Sequence, residues 1–257
     1  MARRNPEARM RLVEHFREFR RRLLYIAIGI VVGMIGGWFL VDFVFDALYA
    51  PVLLIDARGG NASLNFAEVT GALDMRVRVS LFLSIIITAP WWIYQVWAFV
   101  APGLRRKEKR YVLVFLGIGA PLFLAGAYAG WSLLPRAVAI LTALTPDGGS
   151  NIMDTRVYIT FAIRLTLAFA VAFLFPVVMV ALNVMGVVKA KTLLKGWRWA
   201  VVLCFTFAAI ANPLPDPWSM IGIGSMMSVF FFSAVGIAAL VDRRRDKRAL
   251  AIAGTTS

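Results

Sequence analysis

Cysteine and histidine are almost missing from this chain, which has one of each in 257 residues, Cys204 and His15. A single cysteine permits no internal disulfide and no thiolate metal cluster, and a single histidine excludes a multi-histidine metal centre. Charge is scarce too, at 16% of residues, against roughly 25% in ordinary soluble domains. No Gly-x4-Gly-Lys-Ser/Thr loop and no His-Glu-x-x-His motif occurs, so neither nucleotide hydrolysis nor zinc-protease chemistry is encoded. No Ser/His/Asp set can be built around His15, which lies in a basic stretch ahead of the first apolar run. The expectation is a protein that is not an enzyme and needs no cofactor. Internal repeats and low-complexity tracts are absent as well.

What the chain has in excess is apolar surface: 60% hydrophobic residues and a mean hydropathy of +0.76. A core of this size cannot bury all of it, and the same figures exclude disorder, a coiled coil and a disulfide scaffold. The class left is an all-α polytopic membrane protein. Apolar runs near 20 residues cross a bilayer, and six candidates appear, at residues 23–41, 77–100, 111–134, 159–182, 199–211 and 218–241. The fifth is short. It is supported by Pro213-Leu214-Pro215-Asp216-Pro217, a tight turn that leads into the sixth run as a helical hairpin. Its shortness implies local bilayer thinning or shielding by a partner. The expectation is one membrane domain over residues 1–257.

Basic residues sort by loop. Of 28 Lys and Arg, 22 fall in residues 1–22, 101–110, 183–198 and 242–257. The opposite loops, 42–76, 135–158 and 212–217, with Arg78 at the very start of the second run, hold Arg58, Arg76, Arg136 and Arg156 against eight acids. The positive-inside rule then makes both termini cytoplasmic. The net charge of +14 is topogenic, and nucleic acid is not an expected partner. Trp38, Trp97, Trp131, Trp197, Trp199 and Trp218 fall near predicted span ends, as an interfacial belt does. Arg20-Arg21-Arg22 before an apolar run is reminiscent of a cleavable leader, but 19 apolar residues and no small-x-small site favour a retained span.

The outer loops are long enough to expect interfacial helices: Asn65-Phe66-Ala67-Glu68 is a capping-box pattern, and Pro135 suits the first turn of a helix over 136–144. Thr145 to Ser150 reads as an exposed tip. Pro90, Pro121 and Pro176 mark kinks, read either as irregular packing or as a concave bundle with a ligand groove. Gly29, Gly33 and Gly37, and Gly126 and Gly130, have the spacing for close helix approach. Arg164 is the one charge within a span, near enough to the outer end to snorkel, so a proton relay within this chain is not expected.

Read singly, the polar residues at the charged face have plain explanations. Glu18 has Arg21 and Arg22 one helical turn away, Glu108 sits among bases, and Asp216 suits a polar turn. Trp91, Trp92, Tyr94 and Trp97 read as belt and packing residues. Two segments change the weighting. Glu14-His15-Phe16-Arg17-Glu18-Phe19-Arg20-Arg21-Arg22-Leu23 precedes the first span. Trp97-Ala98-Phe99-Val100-Ala101-Pro102-Gly103-Leu104 runs into Arg105-Arg106-Lys107-Glu108-Lys109-Arg110. Together with Pro215-Asp216 and the six spans, they closely resemble the TatC family, the multispanning core of the twin-arginine protein translocase.

The resemblance spans roughly residues 10–241. It implies a receptor in the bacterial cytoplasmic (inner) membrane that binds twin-arginine signal peptides of folded cargo at the cytoplasmic face. It also implies assembly with TatA-like and TatB-like single-span partners, a homo-oligomer within that complex, and export driven by the proton-motive force. By position it makes Glu18 and Glu108 the carboxylates for the arginine pair, with Phe99 and Pro102 shaping the loop and Arg20 beside Glu18. Asp216 becomes an assembly contact. One departure stands out: many family members carry a glutamate or glutamine where this chain has Leu174. Gln95 and Asn183 are the nearest polar substitutes along the chain for a partner site. A paired guanidinium–carboxylate geometry that lysine cannot copy gives the arginine preference a physical cause. The alternative is a polytopic solute transporter, for which the expected intramembrane ionisable sites are wanting.

Overall fold

The computed structural model describes residues 12–55, 62–65, 70–100, 109–142, 151–211 and 217–254. Among these are the helices α1 (Leu12–Ile55), α2 (Gly71–Ile87), α3 (Ala89–Val100), α4 (Lys109–Thr142), α5 (Thr155–Val184), α6 (Ala190–Lys195), α7 (Trp197–Ala211) and α8 (Pro217–Gly254). Two four-residue strands, β1 (Ala62–Asn65) and β2 (Asn151–Asp154), form a parallel pair with Ala62 opposite Asn151 and Asn65 opposite Asp154.

The protein is a helical, multi-pass membrane protein. Four helices are long and apolar enough to cross a bilayer, in Val13–Ala50, Leu113–Ala139, Thr155–Val184 and Met220–Lys247. The pair α2 and α3, bent by 60° at Thr88, makes a fifth if the two helices count as one broken span. Pro90, in the first turn of α3, cannot donate the backbone bond that would carry α2 straight on. Thr88 Oγ1 instead donates to Ser84 O at 2.7 Å. Pro121 and Pro176 lie inside continuous α4 and α5. The fifth predicted run is α7, at 15 residues shorter than a full crossing.

Helices overrun the predicted spans at both ends. α1 is 44 residues long and includes much of the expected loops on either side, and α8 continues past Val241 to Gly254. Charged residues do not stop a helix when they stay on its exposed side. One expectation for the outer segments changes: Pro135 lies within α4, which runs unbroken to Thr142. Asn65 is the last residue of β1, and the rest of the expected capping box, residues 66–68, lies outside the described residues.

The chain divides into two compact units, one of residues 1–121 and 135–160, the other of residues 122–134 and 161–257. In the first, α1 packs along α2 through its glycines. A Cβ on Gly33 would meet Thr88 and Ser84 at 2.6 and 2.7 Å, and one on Gly37 would meet Ser80 O at 2.7 Å. Ser84 Oγ donates to Ile30 O across the same seam. Tyr158 Oη donates to Leu48 O at 2.7 Å, and Thr155 Oγ1 donates to Asn65 O at 2.9 Å, tying the start of α5 to α1 and β1. Asp154 caps α5 by accepting from Arg156 N at 2.7 Å. The other side of α1 carries Phe39 and Phe43, 79% and 75% exposed, surface of the kind a bilayer covers.

In the second unit α4 lies against α5, with a Cβ on Gly126 placed 2.6 Å from Phe169 O and one on Gly130 2.8 Å from Thr166 Cα. α5 ends in a left-handed cap at Gly186, φ 77°. Gly186 N donates to Asn183 O at 2.8 Å and Val187 N to Leu182 O at 3.0 Å, which satisfies the last carbonyls. Arg245 of α8 adds bonds to Asn183 O and Val184 O. Asp242 accepts from Asn183 Nδ2 at 3.2 Å and from Ala190 N at 2.9 Å, which fastens the α5–α6 connection to α8.

Candidate functional site

The first four turns of α1 project charged and aromatic side chains at intervals of three and four residues, so His15, Phe19 and Arg22 share a face with Glu18 beside it. That face meets the end of α3. The Phe99 ring stacks on His15 at 4.5 Å and tilts against Phe19 at 5.4 Å. One turn further along, Arg22 Nη1 donates to Gln95 Oε1 at 3.0 Å. Gln95 is 4% exposed. Arg22 Nη2 also holds Glu18 Oε1 at 2.7 Å, with both side chains half-buried.

Neighbouring bonds fix the arrangement. Trp91 Nε1 donates to Tyr25 O at 3.0 Å, pinning α3 to α1 just inside the polar cluster. Arg21 is drawn the other way, its Nε donating to Tyr25 Oη at 3.0 Å. That bond, with its charge attraction to the same phenol, raises the Arg21 pKa. Trp97, buried at 5% exposure, stacks on Phe115 of α4 at 5.3 Å. The end of α3 and the start of α4 are therefore anchored to each other, and residues 101–108 join them. Pro102 and Glu108 lie in that segment, outside the described residues, as does Asp216.

Of the expected signal-peptide residues, the structure brings Glu18 and Phe99 into one cluster. Arg20 points away: it is exposed and has no hydrogen-bond or ion-pair partner among the described residues. The expected partner-site residues among the described ones each have their own surroundings within one unit. Gln95 is engaged by Arg22, and Asn183 by Asp242 and Val188 O. Leu174 lines an apolar groove of about 470 Å³ with Val171 and Phe175 of α5 and Leu203, Cys204 and Phe207 of α7. Sequence reasoning missed the part played by Arg22 and His15. The four-residue step from Glu18 to Arg22 was visible, but the choice of Arg22 over Arg21 depends on Tyr25 and Gln95.

No group of three or more His, Cys, Asp or Glu among the described residues could hold a metal ion. The arrangement offers a half-buried carboxylate beside aromatic rings at the basic end of the first helix, suited to binding a cationic, partly apolar segment.

The chain was compared with known proteins. The family model "Sec-independent protein translocase protein (TatC)" matches residues 14–225. TatC of Xylanimonas cellulosilytica is 47% identical over 241 residues, covering 93% of this chain and 87% of that protein. TatC of Rothia mucilaginosa is 38% identical, covering 95% and 84%. A crystal structure of the twin-arginine translocase receptor TatC in DDM superposes with a TM-score of 0.76 at 26% identity, covering 87% of this chain and 99% of that one.

Proposed function

The chain belongs to the TatC family of Sec-independent protein translocase proteins, and from that premise we propose that it is the receptor which reads twin-arginine signal peptides through Glu18 and Glu108. As a receptor it is a transport protein rather than an enzyme, in the bacterial inner membrane. The family assignment displaces the solute-transporter alternative. Six crossings with both termini cytoplasmic put the α1–α3 cluster at the face where cargo arrives. TatA-like and TatB-like single-span proteins are the partners, with Asp216 an outer contact and the apolar groove around Leu174 open to a helix.

The observation that carries this reading is the half-buried Glu18 carboxylate, set on α1 against the Phe99 end of α3. Burial decides whether such a group is useful. An exposed ion pair contributes about 0–1 kcal/mol, whereas removing one partner of a desolvated pair costs roughly 2–5 kcal/mol. The Glu18 side chain is 25% exposed and paired with Arg22, and the Phe19 and Phe99 rings meet on the neighbouring surface of α1 and α3. The basic surroundings repel cations in general, so a few placed acids can select a forked guanidinium pair against the background.

The test is equilibrium binding of a signal peptide to the purified protein in nanodiscs, with Arg-Arg compared with Lys-Lys. Glu18→Ala and Glu108→Ala are each expected to weaken Arg-Arg binding by about 2 kcal/mol or more. Equal binding of both peptides, unaltered by either substitution, would make these acids plain surface charges.

A further inference from the structure

The Glu18 carboxylate already has a guanidinium on it. Arg22 Nη2 lies 2.7 Å from Oε1, so an incoming arginine meets an acid bonded to the chain's own arginine. That internal bond engages one carboxylate oxygen, short of the two parallel bonds a guanidinium can make. The same guanidinium has a second acceptor in Gln95 Oε1 at 3.0 Å, on a residue 4% exposed. Its Nε is buried with no acceptor among the described residues. Arg21, the other arginine next to Glu18, is occupied by Tyr25.

We propose that Arg22 is an internal surrogate for the signal peptide's arginine: it occupies Glu18 in the unloaded receptor, gives way to a peptide guanidinium, and is kept by Gln95 while displaced. The proposal rests on the reading of Glu18 as a peptide-binding carboxylate. Its consequence is selectivity by competition. A bare carboxylate accepts an ammonium or a guanidinium. One already held by arginine yields only to a ligand that binds better than Arg22 does, and a forked, two-bond guanidinium meets that condition where a lysine ammonium does not. Gln95 makes the exchange affordable, because the displaced Arg22 keeps a hydrogen bond instead of being stranded half-buried. Arg22 is thus a specificity-determining residue, and Gln95, which the sequence suggested for a partner site, works with it.

The experiment measures Arg-Arg and Lys-Lys peptide binding to the full chain in nanodiscs for wild type, Arg22→Gln, Arg22→Lys, Gln95→Leu, the double variant Arg22→Gln/Gln95→Leu, and Glu18→Gln. Losing the competitor in Arg22→Gln is expected to tighten Arg-Arg binding about twofold to fivefold, the scale of a partly exposed pair, and Lys-Lys binding by more, so discrimination falls. Arg22→Lys, which keeps the charge and loses the fork, shifts both in the same direction by less. Gln95→Leu weakens Arg-Arg binding by leaving Arg22 no other acceptor, and the double variant behaves like Arg22→Gln alone. A merely structural role gives the reverse pattern: each single variant weakens binding, the double variant is worse, and discrimination is unmoved. That result, or an Arg22→Gln variant with wild-type affinity and selectivity, overturns the exchange. Glu18→Gln separates the two levels. If it abolishes Arg-Arg binding while Arg22→Gln only weakens it, the exchange alone fails. If it leaves Arg-Arg binding intact, the carboxylate reading fails and takes the exchange with it.

Discussion

Asp74 binds two arginines from different parts of the chain. Arg78 Nε lies 3.0 Å and Arg156 Nη2 3.1 Å from its Oδ2. The hydrogen bond from Arg78, opposed by some desolvation and helped by the charges of Arg78 and Arg156, holds its carboxyl below the ordinary value of 3.8. A carboxylate whose folded pKa is lowered contributes stability above the unfolded pKa and loses it as pH falls through the folded one. The melting temperature in detergent is therefore expected to fall as pH drops below about 4. Asp74→Asn should be less stable at neutral pH and show a shallower acid decline. An acid profile identical to wild type would mean the two arginines contribute nothing through Asp74. The carboxyl is about 31% exposed at the surface, so solvent screens the pairs and the effect is small. The four-residue step to Arg78 was readable along the chain, whereas Arg156 is brought in only by the β1–β2 pairing, for which no sequence pattern gave a cue. The same division holds at Glu18, where Arg22 was a visible candidate and Gln95 was not.

At the scale of elements, four-residue glycine spacings such as that in α1 also arise by chance in apolar runs. In the structure the spacing in α1 is a packing seam, and adjacent positions on the helix make a paired test. A Cβ at Gly37 would sit 2.7 Å from the backbone oxygen of Ser80, while one at Gly36 meets nothing within 4 Å. Backbone cannot swing aside as a side-chain tip can, so Gly37→Ala forces α1 and α2 apart. Overpacking of this kind costs about 1–3 kcal/mol, and the melting temperature in detergent should fall accordingly. Gly36→Ala should be neutral or slightly stabilising, since alanine is the better helix former. Equal tolerance at both positions would show that the helices do not approach so closely. The four-residue spacing singled out Gly29, Gly33 and Gly37, the positions where an added Cβ would collide, and left out Gly36, where it would not.

For the whole molecule, the chain alone disclosed the class, the approximate crossings, the break at Pro90 and the family. It concealed the length of α1 and α8, because hydropathy reports where a helix meets lipid and not where it ends. One expectation about the bilayer follows from lengths that are now explicit. α7 has 15 residues, about 22 Å of helix at 1.5 Å per residue, against a hydrocarbon thickness of roughly 30 Å. It is paired with α8, which is 38 residues long, so the two strands of one hairpin suit different thicknesses. The long helix can tilt or project, but the short one has to be met by a thinner bilayer or by another protein. Reconstituted alone in phosphatidylcholine vesicles of increasing acyl length, the protein should be most resistant to unfolding in the thinner membranes. Inserting three or four leucines in the middle of α7 should move that optimum toward thicker ones. A stability that ignores acyl length in both proteins would place α7 wholly within protein or at the interface, and α7 would then not count as a crossing. If the optimum shifts with the insertion, α7 crosses the membrane and the bilayer around it is drawn thin, which would favour the passage of folded cargo at this end of the molecule.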